Sequence, residues 1–355
     1  MGAAYVKQDS KKNKSEEPNT PRSKQWRELQ REDKEKWGNQ MADHYKTALS
    51  IENVDKNRYN SVLAPDSSRV VLKSKQNNIQ TSDYINANFV NGVHKDSDNS
   101  YIATQAPTLE TIEDFWRMCW EVNTKIIVML TNLEEDGRVK AHQYWPTIGT
   151  KNFGSWCVTL LSTTSSDNEA YQIRVLELKQ GSGTGKVLTQ TKITDKEDND
   201  VEKRVIYQYH YQIWPDHGVP SDPKTVLDMM EDVNTTFQKL VQDGPSFPLL
   251  VHCSAGIGRT GSYVVIDSVI KKFKEENTTE VDELDLQPIV STMRNQRPGF
   301  VQQKAQYLFC YQTISLAITG TDNFAPTPSK SDSTKKRKKE AKPKKAKDKE
   351  EKSED

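Results

Sequence analysis

A chain of 355 residues with 50 Lys+Arg against 50 Asp+Glu carries no net charge, and its 34% hydrophobic content is enough to bury a sizeable core. The balance is uneven: from Lys330 onward 12 Lys/Arg stand against 7 Asp/Glu, so the tail carries +5 and the rest −5. A slightly acidic body excludes a general nucleic-acid binder and leaves only the tail as a contact arm.

Residues 1–24 are rich in Lys, Ser, Asn and Pro with almost no apolar periodicity, which predicts a disordered segment. The opening MGAAYV leaves Gly2 open to acylation, but Val6 stands where that motif wants Ser or Thr. The spacing of Trp26, Leu29, Trp37 and Met41 predicts one helical face, continued through HYKTALSIEN. YIATQAP reads as a strand ended by Pro107. TIEDFWRMCWEV reads as a helix, with Thr111 and Asp114 in capping-box spacing and Ile112, Phe115, Met118 and Cys119 on one side. TKIIVML is a buried strand, and SWCVTLLST, EAYQIRVLEL and KRVIYQYHYQI alternate as antiparallel strands do. GSGTG, from Gly181 to Gly185, lacks the Lys-Ser/Thr ending of a P-loop and reads as a hairpin turn.

DPKTVLDMMEDVNTTFQKLV is an amphipathic helix with Pro223 near its first turn. PLLVHC is a strand, GRTGSYVVIDSVIKKFKEE the helix after it, and KAQYLFCYQTISLAI a last helix. The expected fold is an α/β domain over residues 25–320, with a central twisted mixed sheet flanked by helices. Residues 321–355 form a Lys-rich tail that cannot bury enough apolar surface to fold alone. Its KKRKK stretch suits an importin, nucleic acid or an anionic membrane, or serves as a solvated tail. Cys119, Cys157, Cys253 and Cys310 stand far apart with no CxxC pair, which excludes a disulfide scaffold and zinc-finger spacing. No His pair has metal-ligand spacing, no apolar run reaches membrane length, and there is no signal-peptide core. The expectation is a soluble protein of the cytoplasm, or of the nucleus through its tail.

The chemistry gathers in VHCSAGIGRTG, Val251 to Gly261, where a buried strand turns sharply into a helix. Small residues and glycines let the amides of Ser254, Ala255, Gly256, Ile257, Gly258 and Arg259 point inward as a nest of donors. The positive end of the helix dipole backs that nest, which suits a phosphate dianion. Cys253 lies at its base, where the same field favours the thiolate and lowers the thiol pKa. Arg259 comes round to the rim with a planar fork for two phosphate oxygens. Attack on phosphorus leaves an alkoxide or phenoxide that needs a proton, so a general acid must come from elsewhere. Asp216 in YQIWPDHGVP is the candidate. Alone it is ordinary Pro/Gly turn chemistry; beside the cysteine cradle it is the acid.

HCSAGIGRTG with an upstream WPDHGVP resembles the phosphotyrosine-specific protein tyrosine phosphatases of the single-domain, non-receptor type. DKNRYNSVL, DYINANFVNG, YIATQAPTLETIEDFWRMCWE, IIVMLTNLEEDGRVKAHQYWP and RNQRPGFVQQKAQYLF match further family blocks in order, over roughly Trp26 to Ile318. The resemblance implies hydrolysis of phosphotyrosine in proteins through a phosphocysteine on Cys253, with no metal and no cofactor. It makes Arg259 the phosphate clamp, His252 a group that tunes the thiolate, and Thr260 an aid to its departure. Asp216 becomes the acid and later the base, on a mobile loop. Gln302 positions the hydrolytic water, with Gln306 as companion. Tyr59 walls a deep pocket, Lys140 meets the acid loop, and Glu135 orients Arg259. Arg294 and Gly299 fall at the pocket rim.

Three positions depart from the family. Ser61 stands where an acidic residue usually anchors the substrate backbone, Ala64-Pro65 replaces a Pro-aromatic pair, and Ala141 replaces a common cysteine. Two other readings use the same residues: a module that holds phosphotyrosine without hydrolysing it, and a phosphatase acting on RNA 5′ ends or phosphoinositides. The presence of Cys253, Arg259 and Asp216 counts against the first, and Tyr59 with the WPDHGVP block against the second.

Overall fold

The computed structural model describes residues 20–37, 41–73, 75–76, 79–181, 202–215 and 218–321. Nine strands form the large sheet: β1 Arg69–Val71, β2 Tyr84–Val90, β3 Tyr101–Thr104, β4 Ile126–Met129, β5 Thr150–Phe153, β6 Trp156–Ser165, β7 Tyr171–Gln180, β8 Lys203–Tyr211 and β9 Leu249–His252. Their spatial order is β1-β2-β3-β9-β4-β8-β7-β6-β5. The pairs β3–β9, β9–β4 and β4–β8 are parallel, and every other pair is antiparallel. The helices are α1 Pro21–Trp37, α2 Met41–His44, α3 Ile112–Glu121, α4 Pro223–Gln242, α5 Gly258–Glu276, α6 Leu286–Arg294 and α7 Lys304–Thr319.

The parallel centre explains why TKIIVML and PLLVHC are apolar without alternation: both strands are covered on both faces. Val251 packs on one face with Val264, Val265 and Phe309 of α5 and α7. Leu250 packs on the other with Phe115, Met118 and Cys119 of α3. Ligands of parallel sheets bind beyond the carboxyl ends of the strands. Here that edge gathers Gln105 after β3, Leu130 and Thr131 after β4, Gln212 to Pro215 after β8, and Cys253 after β9. Four connections, distant in sequence, thus meet at one place.

Several local expectations need correction. The boundary at residue 24 falls inside α1, which begins at Pro21. Thr20 accepts the Ser23 amide on Oγ1 at 3.2 Å, so a Thr-Pro start signal outweighs the polar composition. HYKTALSIEN does not continue the helix beyond His44 but runs through successive turns. Around α3 the capping box uses Thr108 and Thr111 rather than Thr111 and Asp114, because a short 3-10 turn at Leu109–Thr111 precedes the helix. At α4 the signal reads correctly: Asp222 accepts the Lys224 amide at 2.9 Å, and Pro223 opens the helix. The GSGTG turn beyond Gly181, residues 1–19 and the Lys-rich tail lie outside the described residues.

Candidate active site

The cradle between β9 and α5 is built by tying down its carbonyls. Ser254 O accepts the Ala106 amide at 3.0 Å, and Ile257 O accepts those of Val301 at 3.0 Å and Gly261 at 3.1 Å. Ala255 O and Gly256 O accept from the Arg297 guanidinium at 3.0 and 3.2 Å. Gly258 O accepts from the Ser262 hydroxyl at 3.1 Å, and Cys253 O from His252 Nδ1 at 3.1 Å. A peptide unit whose oxygen points outward turns its N–H the other way. Six consecutive bound carbonyls therefore fix the peptide planes of the turn, and with them the directions of the amides from Ser254 to Arg259. The Gly256 amide points at Cys253 Sγ, 3.3 Å away. Gly256 adopts φ +72°, and a Cβ there would stand 2.2 Å from Thr104 O; the turn closes only with glycine.

Arg259 is held by a two-pronged pair with Glu135. Nη1 donates to Oε1 at 2.6 Å and Nη2 to Oε2 at 2.7 Å, with both side chains nearly out of solvent. Glu135 Oε1 also accepts from Thr131 Oγ1 and the Asn132 amide, each at 3.0 Å. Arg259 further donates to Leu130 O at 3.0 Å and to Pro215 O at 3.2 Å. This orientation, a family-based expectation for Glu135, is thus visible geometrically. The Pro215 contact brings the start of the WPDHGVP segment to the cradle. Trp214 anchors the same loop, buried against Phe309 at 5.6 Å and donating from Nε1 to Gly218 O at 3.3 Å. Asp216, between Pro215 and Gly218, lies outside the described residues.

His252 is fully buried and makes no hydrogen bond to Sγ. Its Nδ1 donates to Cys253 O, so its Nε2 must accept from the Tyr144 hydroxyl, 2.7 Å away. Burial pushes its pKa down to about 3, so the imidazole is neutral. It reaches Cys253 Sγ only through the peptide it braces. The Thr260 hydroxyl is buried in the first turn of α5 and has no partner among the described residues. A Cβ on Gly258 would lie 3.0 Å from Gln306 Nε2 and 3.3 Å from Gln302 Oε1, which sets both glutamines over the amino end of α5.

Tyr59 is fixed to the wall of the cradle. Ser254 Oγ donates to Lys140 O at 2.7 Å and is left to accept from the Tyr59 hydroxyl at 2.8 Å. The loop bearing Tyr59 is clamped on both sides: Gln105 takes the Arg58 amide at 2.8 Å and gives Nε2 to Lys56 O at 2.8 Å. Arg58 itself donates to the carbonyls of Ala106 and Pro107. Ser61 is exposed two residues on, and Lys140 sits on the strand-to-loop segment after the Glu134–Glu135/Arg138–Val139 ribbon.

Arg294 does not stand at the rim. It is buried, donating to the carbonyls of Leu29, Phe300 and Val301 and pairing with Asp33 at 3.1 Å. Arg297 is the residue that the motif reading missed. It is fully buried beneath the cradle, binds Asn88 Oδ1 at 2.7 Å besides its two carbonyls, and burial lowers its pKa to about 10. The second arginine of RNQRPGF was the available signal, but nothing in a linear pattern separates an arginine under the turn from one beside it.

Residues 53–316 match the family model described as protein-tyrosine phosphatase. The human receptor-type tyrosine-protein phosphatase F is 41% identical over 268 residues, which is 75% of this chain and 12% of that protein. The Drosophila melanogaster tyrosine-protein phosphatase Lar is 39% identical over 283 residues, 79% of this chain and again 12% of the relative. This chain therefore spans about an eighth of the length of these relatives. Among solved structures, the catalytic domain of human protein tyrosine phosphatase non-receptor type 18 superimposes with a TM-score of 0.70 at 33% identity, covering 84% of this chain and 96% of that one. The same phosphatase in complex with HER2-pY1248 phosphopeptides gives 0.69 at 33% identity, covering 83% and 99%. With its cysteine cradle, its braced arginine and a family match over most of its length, the chain belongs to the protein-tyrosine phosphatase family.

Proposed function

We propose that this chain hydrolyses phosphotyrosine in proteins through a phosphocysteine intermediate. The reading rests on the binding of six consecutive carbonyls from Cys253 to Gly258, which fixes the peptide planes of the turn with the Gly256 amide on Sγ, together with the Glu135-held fork of Arg259. The amides and Arg259 hold the three non-bridging phosphate oxygens, so negative charge is met before the reaction begins. The Cys253 thiolate attacks phosphorus in line with the phenolic oxygen. The P–O bond breaks as Asp216 gives its proton to the leaving tyrosine. In the second step Gln302 and Gln306 orient a water, Asp216 takes its proton, and the P–S bond breaks with the Thr260 hydroxyl stabilising the returning thiolate. The second step releases inorganic phosphate and restores the cysteine.

Tyr59, standing on Ser254, supports phosphotyrosine over shorter phosphoamino acids because it adds a tall wall to the cradle. The phosphopeptide complexes of the similar phosphatase support the same substrate class. Among the described residues no helix is long and apolar enough to cross a membrane. A test compares phosphate release from phosphotyrosyl and phosphoseryl peptides of one sequence, and from p-nitrophenyl phosphate. Wild type should favour phosphotyrosine by at least about 10²-fold in kcat/KM, worth about 2.7 kcal/mol, and Cys253→Ser should abolish turnover. A folded wild-type protein that binds the phosphotyrosyl peptide without turnover would show a binding module instead.

A further inference from the structure

Away from the cradle, β7 and β8 place four polar side chains together, because Gln172 pairs with His210 and Arg174 with Gln208 in register. Two of them, Arg174 and His210, border a cavity of about 370 Å³ whose lining also includes Gln212, Asn132, Gln143 and Trp145. The Arg174 guanidinium lies 4.7 Å from the centre of the Trp145 ring. It donates to Gln208 Oε1 at 3.0 Å, His210 Nδ1 at 3.3 Å and Gln172 Oε1 at 2.5 Å, all neutral acceptors. His210 is neutral because burial and the Arg174 charge push its pKa down to about 4; its Nε2 donates to Thr131 O at 2.9 Å, which leaves Nδ1 as the acceptor toward Arg174. Among the described residues no carboxylate pairs with Arg174, although the residue is only 9% exposed. A buried cation without a counter-charge is costly, and here it borders a space large enough for a small ion.

Arg174 is also where two hydrogen-bond chains toward the cradle begin. One runs through Gln208, whose Nε2 donates to the Tyr144 hydroxyl at 2.8 Å, then to His252 and the Cys253 carbonyl. The other runs through His210 and Thr131 to Glu135, and so to Arg259. We propose that this cavity is a second anion site, which takes a small oxyanion on Arg174 and adjusts turnover through these two chains. A planar guanidinium suits inorganic oxyanions and carboxylates alike. Drawing Arg174 toward the ion loosens its hold on Gln208 and His210, the first links of both chains.

The test uses the full chain with arginine Nε–H groups labelled by ¹⁵N, the Arg174 signal being assigned with Arg174→Lys. Sodium sulfate and sodium acetate are titrated separately at constant ionic strength. The Arg174 signal should move saturably, and Thr163→Trp, which fills the cavity from β6 without removing Arg174, should abolish the movement. Response to sulfate alone marks an inorganic oxyanion, and response to acetate alone a carboxylate. No saturable movement with either, or movement that survives Thr163→Trp, overturns the site. In parallel, kcat for p-nitrophenyl phosphate should change at least about twofold at saturating anion in wild type and stay level in Thr163→Trp. Competition at the cradle alters KM rather than kcat, so the two are separable. A flat kcat while Arg174 saturates overturns the coupling. The signal of Arg174 is read without turnover, so failure of the site and failure of the phosphatase reading remain distinct.

Discussion

Acid should unfold this protein through two imidazoles before its carboxylates are titrated. His252 and His210 are both buried and neutral, with pKa values pushed from 6.5 down to about 3 and about 4. In the unfolded chain each binds a proton near pH 6.5; in the folded chain neither does until the pH is far lower. The unfolded state thus binds more protons throughout the interval, and stability falls as pH falls. The stabilisation is fully present above pH 6.5 and lost progressively down to about pH 3–4. Between pH 7 and pH 5 each histidine accounts for about 2 kcal/mol, together about 4 kcal/mol, a large part of a typical stability of about 5–15 kcal/mol. His94, whose pKa burial also lowers, adds in the same direction. The measurement is the urea midpoint from pH 7 to pH 5, with His210→Asn as control. The slope near pH 5 should approach two protons, about 2.7 kcal/mol per pH unit, and fall by about half in the variant. A wild-type slope below one proton would refute the assignment of both imidazoles as buried and neutral.

Three other outcomes follow from the site. Gly256→Ala places a Cβ 2.2 Å from Thr104 O at φ +72°, so it should lower stability by at least about 2 kcal/mol and abolish turnover; a wild-type denaturation midpoint would contradict the cradle geometry. Glu135→Gln removes the charge from a buried pair, which should cost about 3–5 kcal/mol of stability. Its kcat/KM should drop about 10²-fold through a misplaced Arg259, to be read by steady-state kinetics on protein shown folded by circular dichroism. Asp216→Ala should cut kcat by about two to four orders of magnitude while peptide binding persists, and turnover like wild type would remove Asp216 as the acid.

Much of the architecture was legible as pattern. Period-two alternation marked β6, β7 and β8, continuous apolar runs marked the covered strands β4 and β9, and Asp222-Pro223 marked the start of α4. The short elements β1, β5 and α6 carry too few residues for a period to show. At the site, the turn that carries Cys253 and Arg259 follows from local spacing, because a tight glycine-rich stretch between a strand and a helix leaves its amides few other directions. Glu135, Lys140 and the glutamines look like surface polar residues in the sequence, and only resemblance singled them out.

What the amino-acid order determined by itself was every feature that depends on near neighbours: the glycine-rich turn, the cysteine at its start and the strand-turn-helix that carries them. Partnership across the fold was decided by the tertiary structure. The parallel order β3-β9-β4-β8 brings four distant loops to one sheet edge, where Glu135 meets Arg259 and Tyr59 meets Ser254. Arg294 and Arg297 stand three residues apart in similar company, yet one locks α1 to the cradle's flank and the other lies under the cradle itself. That distinction comes from where α6 ends and which carbonyls lie within reach of each guanidinium, a matter of packing that no local pattern encodes.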